Sequence, residues 1–120
     1  MVPFNLRLRG DMYGLIIRFR AKPGKRDEFI NVLSAGYQGM EGCHSYIFAE
    51  DPADEDLIWA TQIWESHEAH DVAINRPDVR ACINDVKSRE LLIEREMRVV
   101  VTPVNGQGLF NDGAWRPEKT

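Results

Sequence analysis

The sequence has few cysteines and no long apolar run, and these shortages exclude several classes of protein. Among its 120 residues, Cys43 and Cys82 are the only cysteines, and they lack CxxC spacing. We expect them to be small buried side chains in a reducing compartment. No apolar run approaches the roughly 20 residues that cross a bilayer. The opening residues, MVPFNLRLRGD, lack the apolar centre of a secretory signal. The sequence therefore predicts a cytoplasmic protein.

An excess of positive charge is also missing. The net charge is -4, which argues against nucleic acid and anionic membranes as partners, because both attract a basic face. The histidines, His44, His67 and His70, include no pair at the i, i+4 spacing of a helical zinc motif. The acidic stretch PADED lacks the glycine and terminal glutamate of a calcium loop. The sequence therefore predicts no metal and no cofactor.

What is present is an ordinary globular composition, with 43% hydrophobic residues, enough for one domain with a modest core. The β-branched and aromatic residues of Met12–Ala21 predict a first strand, which KPGK ends. A helix follows, with Gly39 and Gly42 closing it. Its apolar face repeats at steps of three and four residues: Phe29, Ile30, Leu33, Gly36, Tyr37 and Met40.

The remaining elements complete a recognisable order. Strands are predicted over Cys43–Asp51, Leu57–Glu65 and Glu96–Pro103. Ser66 is a good N-cap for a helix that runs to about Asn75, and a second helical piece begins at Pro77 or Asp78. The order β-α-β-β-α-β predicts an α+β, ferredoxin-like fold, an antiparallel sheet with its helices on one face.

The strands do not alternate cleanly between apolar and polar residues, as a sheet covered on one face should. Runs such as Leu15–Ile17 and Val99–Val101 make both faces apolar, and two helices cover only one of them. We therefore expect a homodimer in which the open faces of two sheets meet. The predicted organisation is an N-terminal extension at 1–11, the domain at 12–104, and a tail at 105–120 that carries Leu109, Phe110 and Trp115.

The stretch TQIWESHEAHD is the best candidate for a functional site. Trp64 ends the third strand on the same face as Gln62 and Ala60. His70 falls in the first full turn of the next helix, leans toward the sheet, and is expected to be a neutral imidazole because the helix N-terminus disfavours its charge. His67 should point to water. A core tryptophan and a structural histidine remain the alternative interpretation.

The motifs PGKRDEF, GCHSY, the acidic connection DPADED and WESHEA, in this order and spacing, resemble the antibiotic biosynthesis monooxygenase (ABM) domain family. The resemblance covers about Met12 to Val104. It implies a dimeric α+β barrel. Members of the family include cofactor-independent monooxygenases of quinols and polyketide phenols, haem-degrading enzymes and an isomerase of a signal molecule.

The resemblance is partial at the residues that define each activity. Haem-degrading members have an asparagine, a tryptophan and a histidine where this chain has Ile17, Ala73 and Ile83, which argues against haem degradation. Polyketide-type members share the tryptophan at Trp64, but have a tyrosine at the position of His70 and an asparagine at that of Ala60. Many quinol-type members place a histidine at the position of Ala73.

The resemblance therefore implies a cofactor-independent monooxygenase of a small phenolic or quinol substrate. The expected catalytic residues are His70, as base or hydrogen-bond partner, and Trp64. The expected substrate-binding residues are Phe19, Tyr46, Gln62 and His44. Two alternatives are a non-catalytic dimeric barrel that binds a small hydrophobic ligand and an isomerase of a small metabolite.

Overall fold

A computed structural model describes residues 12–107 and consists of a four-stranded antiparallel sheet with three helices. The elements are β1 Tyr13–Ala21, α1 Arg26–Ala35, β2 Cys43–Glu50, β3 Leu57–Trp64, α2 His67–Ile74, α3 Pro77–Ser88 and β4 Leu92–Val101. The strand order is β2-β3-β1-β4, and each neighbouring pair is antiparallel. This is the predicted ferredoxin-like α+β fold, which is confirmed.

The described range sets what can be compared with the predicted domain boundaries. The extension at 1–11 and the apolar tail residues Leu109, Phe110 and Trp115 lie outside the described residues. The domain boundary at residue 104 stays a prediction. Within 12–107, no helix is both long enough and apolar enough to cross a membrane.

Two element boundaries differ from the predictions by three residues or more. Helix α1 ends at Ala35, because Gly36 caps it and its N–H bonds back to the carbonyl oxygen of Leu33. Tyr37 and Met40 nevertheless pack against the core from the loop that follows. Strand β4 begins four residues earlier than Glu96, and its ladder with β1 continues to the pair Ala21–Leu92 through two register shifts. Charged residues interrupt the apolar pattern of this segment, so composition alone hides the strand.

The second helical region is divided where the sequence predicted a break. Helix α2 ends at Ile74, and α3 begins at Pro77, which occupies the first helical position. Proline is favoured there because its missing N–H would have no partner within the helix.

The core lies between the sheet and the helices. Leu15, Ile17, Ala60 and Trp64 share the face of the sheet that the helices cover, and each is at most 5% exposed. Trp64 and Ala60 are fully buried, which confirms that the alternation along β3 directs one face inward. Phe29, Leu33, Val79 and Val86 complete the core from α1 and α3.

The opposite face of the sheet has no cover among the described residues. The strand registers align Ile47, Thr61, Ile16 and Val99 in one row across all four strands. In this row Ile47 is 56% exposed and Val99 is 40% exposed. The expected second apolar face is therefore present at the centre of the sheet.

Charged residues occupy one end of this open face. The guanidinium groups of Arg18 and Arg20 both donate hydrogen bonds to the carboxylate of Glu96 across the β1–β4 ladder, and Arg20 also pairs with Asp54. These ion pairs satisfy both arginines within the chain.

Candidate active site

The junction between β3 and α2 fixes the direction of the helix that carries His70. Ser66 is extended, and its hydroxyl oxygen accepts a hydrogen bond of 3.0 Å from the backbone N–H of Ala69, which confirms the predicted N-cap. Next to it, the N–H of Glu65 donates to the carbonyl of Gly42 at 2.8 Å. The loop before β2 is thereby held against the start of α2.

His70 projects from α2 into the interior and is only 9% exposed. Its ring lies 5.3 Å from that of Tyr13 and 5.4 Å from that of Trp64, the latter in an edge-on arrangement. His67, in contrast, has a side chain that is 65% exposed. The predicted orientations of both histidines are thus confirmed.

The ring nitrogen Nδ1 of His70 is fully buried and has no hydrogen-bond partner among residues 12–107. The nearest carboxylate oxygen, Oδ1 of Asp71, is 3.5 Å from Nδ1, beyond the usual range of an N–H···O bond. A buried imidazole without a partner is uncommon, because an unmade hydrogen bond in the interior costs free energy. This makes His70 available to a bound molecule.

Burial is the main cause that lowers the pKa of His70 below its ordinary value, although Asp71 acts in the opposite direction. Electrostatic interactions with Arg98 and, to a smaller extent, with His67 lower this pKa further. The sequence predicted a neutral ring because of the helix N-terminus; desolvation is the larger cause in the folded chain. His70 is therefore a neutral imidazole at neutral pH and can accept a proton.

Trp64 is joined to Gln62 by a hydrogen bond from the indole Nε1 to Oε1 at 2.8 Å. Both residues are buried, at 0% and 4% exposure. Because the carbonyl oxygen of Gln62 is engaged, its amide NH₂ remains the group that can donate elsewhere. That amide makes no hydrogen bond within residues 12–107.

A cavity of about 250 Å³ lies between the sheet and the helices, beside His70 and Gln62. Its walls are mainly aliphatic and aromatic and come from every helix and from all four strands. The apolar lining residues are Leu15, Ile17, Phe19, Phe29, Leu33, Tyr37, Tyr46, Ile74, Ile83, Val86 and Leu92. Such a pocket, apolar with a few convergent polar groups, is typical of a small-molecule site.

The structure brings most of the predicted site residues together. Phe19, Tyr46, Gln62 and His70 all line the cavity. Trp64 is not among the lining residues; it lies behind the wall, where it contacts His70 and Gln62. His44 is not a lining residue either and lies where the β2–β3 register shifts, between Cys43 and Ser45. The roles of these residues in a reaction stay predictions.

Tyr37 is a lining residue that the sequence suggested only as part of a helix face. Its ring packs 4.4 Å from that of Tyr46. Burial raises the pKa of Tyr46 well above its ordinary value, and the interaction with Tyr37 raises it further. Tyr46 is therefore a neutral phenol, and its hydroxyl group donates a hydrogen bond to that of Tyr37.

Three cations, Lys87, Arg95 and Arg98, also line the cavity and were missed entirely. The sequence signal was weak: Arg95 belongs to the charged segment that hid the start of β4, and Arg98 lies in the predicted part of that strand without a motif around it. Within residues 12–107, no group of three or more histidine, cysteine, aspartate or glutamate side chains is arranged to hold a metal ion.

Known proteins resemble this chain in sequence and in fold. The family model described as antibiotic biosynthesis monooxygenase matches residues 12–85. A solved structure from Chloroflexus aurantiacus J-10-fl carries the name of this family and is 40% identical to this chain. Its TM-score is 0.77, over 82% of this chain and 99% of the other. A comparison with curated proteins gives no significant match.

Two more distant structures share the fold. SnoaB from Streptomyces nogalater, a cofactor-independent oxygenase, is 17% identical, with a TM-score of 0.66 over 81% of this chain and 97% of the other. A conserved protein from Methanosarcina mazei Go1 is also 17% identical, with a TM-score of 0.68 over the same two shares. Because the family model matches residues 12–85 and the Chloroflexus structure is 40% identical, this chain belongs to the antibiotic biosynthesis monooxygenase (ABM) domain family.

Proposed function

We propose that this protein is a cofactor-independent monooxygenase that oxidises a small phenolic or quinol compound with dioxygen. The observation that carries the proposal is His70, a buried, neutral imidazole on the wall of an apolar cavity. Its Nδ1 has no hydrogen-bond partner within residues 12–107. A base in this position is what the oxidation of a phenol needs, because the phenolate is a much better electron donor than the phenol.

The polar groups of the cavity suggest how a phenol would bind. Its hydroxyl would donate to a ring nitrogen of His70, while the amide NH₂ of Gln62 would donate to an oxygen atom of the substrate. Phe19 and Tyr37 would pack against the ring. Apolar walls keep water away from the phenolate and from reactive intermediates.

In this proposal Trp64 is a positioning residue. It does not line the cavity, but it holds the side-chain oxygen of Gln62 and packs edge-on against His70. It would therefore fix the orientation of both polar groups.

The overall chemistry needs no reductant besides the substrate. When a hydroquinone reacts with one dioxygen to give a hydroxyquinone and one water, one oxygen atom enters a ring C–H bond. The two phenolic hydrogens and their electrons reduce the other oxygen atom to water. His70 would accept the first phenolic proton and return it to the reduced oxygen.

Oxygen uptake with a panel of hydroquinones and small hydroxylated naphthalenes tests the proposal. We expect His70→Ala to lower the rate about 100-fold, the usual scale for a general base. His67→Ala is the matched control, because His67 is an exposed histidine on the same helix, and we expect it to keep the parent rate. Equal rates for His70→Ala and the parent would rule out His70 as the base.

A non-catalytic binding protein is the second candidate, and two departures from the family pattern favour it. Ala60 and Ala73, which are 0% and 3% exposed, replace polar residues that the resemblance leads us to expect. Binding of the same compounds without any oxygen uptake would support this candidate. An isomerase would differ from both, because it would convert its substrate in the absence of oxygen.

We also propose that the protein is a homodimer whose subunits meet through the open faces of their sheets. The row of Ile47, Thr61, Ile16 and Val99 supports this, since an exposed apolar strip at the centre of a sheet favours association. Sedimentation at micromolar concentration should return twice the chain mass of 13.8 kDa.

A further inference from the structure

The mouth of the cavity carries charge of one sign. Among the lining residues, the exposed ones are Lys87, Arg95 and Arg98, while all the others are buried or half-buried. Among residues 12–107, no aspartate or glutamate lines the cavity. Three cations with no acidic residue beside them in this range stand out, because the net charge of the chain is -4.

These cations also differ from the rest in lacking ion pairs. Within residues 12–107, most lysine and arginine side chains have an acidic partner; they are Arg18, Arg20, Lys22, Lys25, Arg26, Arg76 and Arg89. The cations of this range without one are Arg80, Lys87, Arg95 and Arg98. Unpaired positive charge is thus concentrated at the cavity.

The strand register explains why acids do not neutralise the mouth. Arg98 pairs with Ile17, and Arg95 pairs with Phe19, so both arginines lie on the helix-covered face. Glu96, which lies between them in sequence, turns to the open face and binds Arg18 and Arg20 there. The same strand therefore separates its charges, with cations toward the cavity.

Arg98 is held in place by a hydrogen bond and not by an ion pair. Its Nη2 donates a hydrogen bond of 3.0 Å to the hydroxyl oxygen of Tyr13, a neutral acceptor. Lys87 approaches from the last turn of α3. The three cations thus come from two elements and converge on one opening.

We infer that the cavity binds a small aromatic carboxylate, with its ring in the apolar interior and its carboxylate at Lys87, Arg95 and Arg98. Guanidinium groups suit this anion because they form paired hydrogen bonds with carboxylates. The volume limits the ring: a cavity of about 150 Å³ holds one benzene, so about 250 Å³ holds one or two fused rings. The inference rests on the proposed function for the reaction, though not for binding.

The test uses two probes of the same shape, naphthalene carboxylate and the neutral naphthalene carboxamide, with affinities measured by calorimetry on the full chain. We expect the carboxylate to bind at least about tenfold more tightly, on the scale of several exposed charge pairs acting together. Raising the sodium chloride concentration from about 50 to about 500 mM should lower the affinity for the carboxylate and leave the affinity for the carboxamide unchanged.

Variants locate the charge that matters. The double variant Lys87→Gln, Arg95→Gln should lower the affinity for the carboxylate about tenfold and leave the affinity for the carboxamide unchanged. The control combines Lys25→Gln with Arg80→Gln, which changes the net charge equally at exposed cations that do not line the cavity. We expect this control to bind both probes as the parent does.

Equal affinities for the two probes would overturn the inference, and so would an equal loss in both double variants. Absence of binding for both probes at millimolar concentration would overturn it as well. Neither probe carries an oxidisable hydroxyl group, so their binding is independent of catalysis. Tight, charge-dependent binding in a protein that consumes no oxygen would uphold the inference and reject the monooxygenase.

Discussion

The indole Nε1 of Trp64 donates a 2.8 Å hydrogen bond to Oε1 of Gln62, the residue two positions before it on the same face of β3. Both partners are buried, so water cannot replace either of them in this hydrogen bond. The bond ties a core aromatic residue to one of the few polar groups that line the cavity.

A double-mutant cycle should reveal this coupling. Trp64→Phe leaves the side-chain oxygen of Gln62 unsatisfied, and we expect it to lower the free energy of unfolding by about 1–3 kcal/mol beyond the loss of packing. Gln62→Leu should cost a similar amount because it strands the indole N–H. With both replacements together, the loss should be smaller than the sum by about 1 kcal/mol.

Urea denaturation of the four proteins measures the cycle. Strictly additive losses would mean that the hydrogen bond contributes nothing to stability. Ligand affinity of the Trp64→Phe variant is a second measurement. Without the indole N–H, the side chain of Gln62 is no longer held in one orientation. We therefore expect a lower affinity for oxygen-bearing ligands in a protein that is still folded.

Stability should fall in mild acid because of His70. Burial lowers its pKa in the folded state, so the unfolded chain, with a histidine pKa of about 6.5, binds more protons between the two values. The contribution is complete above pH about 6.5 and is lost as the pH falls through the folded pKa.

Denaturation at pH about 7.5 and about 5 therefore should show a smaller loss of stability for His70→Gln than for the parent. His67→Gln, at the exposed histidine of the same helix, should retain most of the parent's loss, because His67 is the smallest of the causes that lower the His70 pKa. Parallel pH dependence in all three proteins would remove His70 from the explanation.

Gly42 should tolerate no side chain, for two separable reasons. Its φ of +79° is in the left-handed region, and a Cβ there would lie 2.8 Å from the Cβ of Ala69 on α2. Gly39 has a φ of +60° with open space around it. We expect Gly39→Ala to cost about 1–2 kcal/mol from backbone strain alone, and Gly42→Ala to cost roughly 1–3 kcal/mol more from the clash.

The difference between these two variants, measured by chemical denaturation, isolates the contact of the loop with α2. Equal costs would show that α2 moves away easily. In that case the position of His70 would not depend on the loop.

Association through the open face should be sensitive to Ile47. The substitution Ile47→Glu places a charge in the centre of the proposed interface, and we expect it to weaken dimerisation at least about tenfold. The control is Val72→Glu, which adds the same charge at a 66% exposed position on α2. Sedimentation velocity over a concentration series distinguishes them, and a monomeric parent would contradict the proposal outright.

Local signals in the sequence were sufficient for most of the fold. Ser66 as a cap and Pro77 as a break were predictable because each acts on its own backbone. The ends of α1 and β4 were predicted wrongly, since Gly36 ends the helix while apolar residues continue, and the ladder with β1 extends into charged residues. Such boundaries depend on long-range pairing, which periodicity does not report.

The candidate site was predictable in part for the same reason. His70, Gln62, Phe19 and Tyr46 were accessible through strand alternation and the family motifs. The three cations at the mouth were not, because their common position arises from the β1–β4 register and the end of α3. A histidine's neutrality was predicted correctly, but burial, its main cause, is a property of the assembled core.

The central sheet keeps the cavity and the row of Ile47, Thr61, Ile16 and Val99 on its opposite sides. An assembly built through that row would leave each subunit with a complete site of its own facing away from its twin. We expect such sites to fill independently, so that saturation follows a simple hyperbola even in a paired molecule.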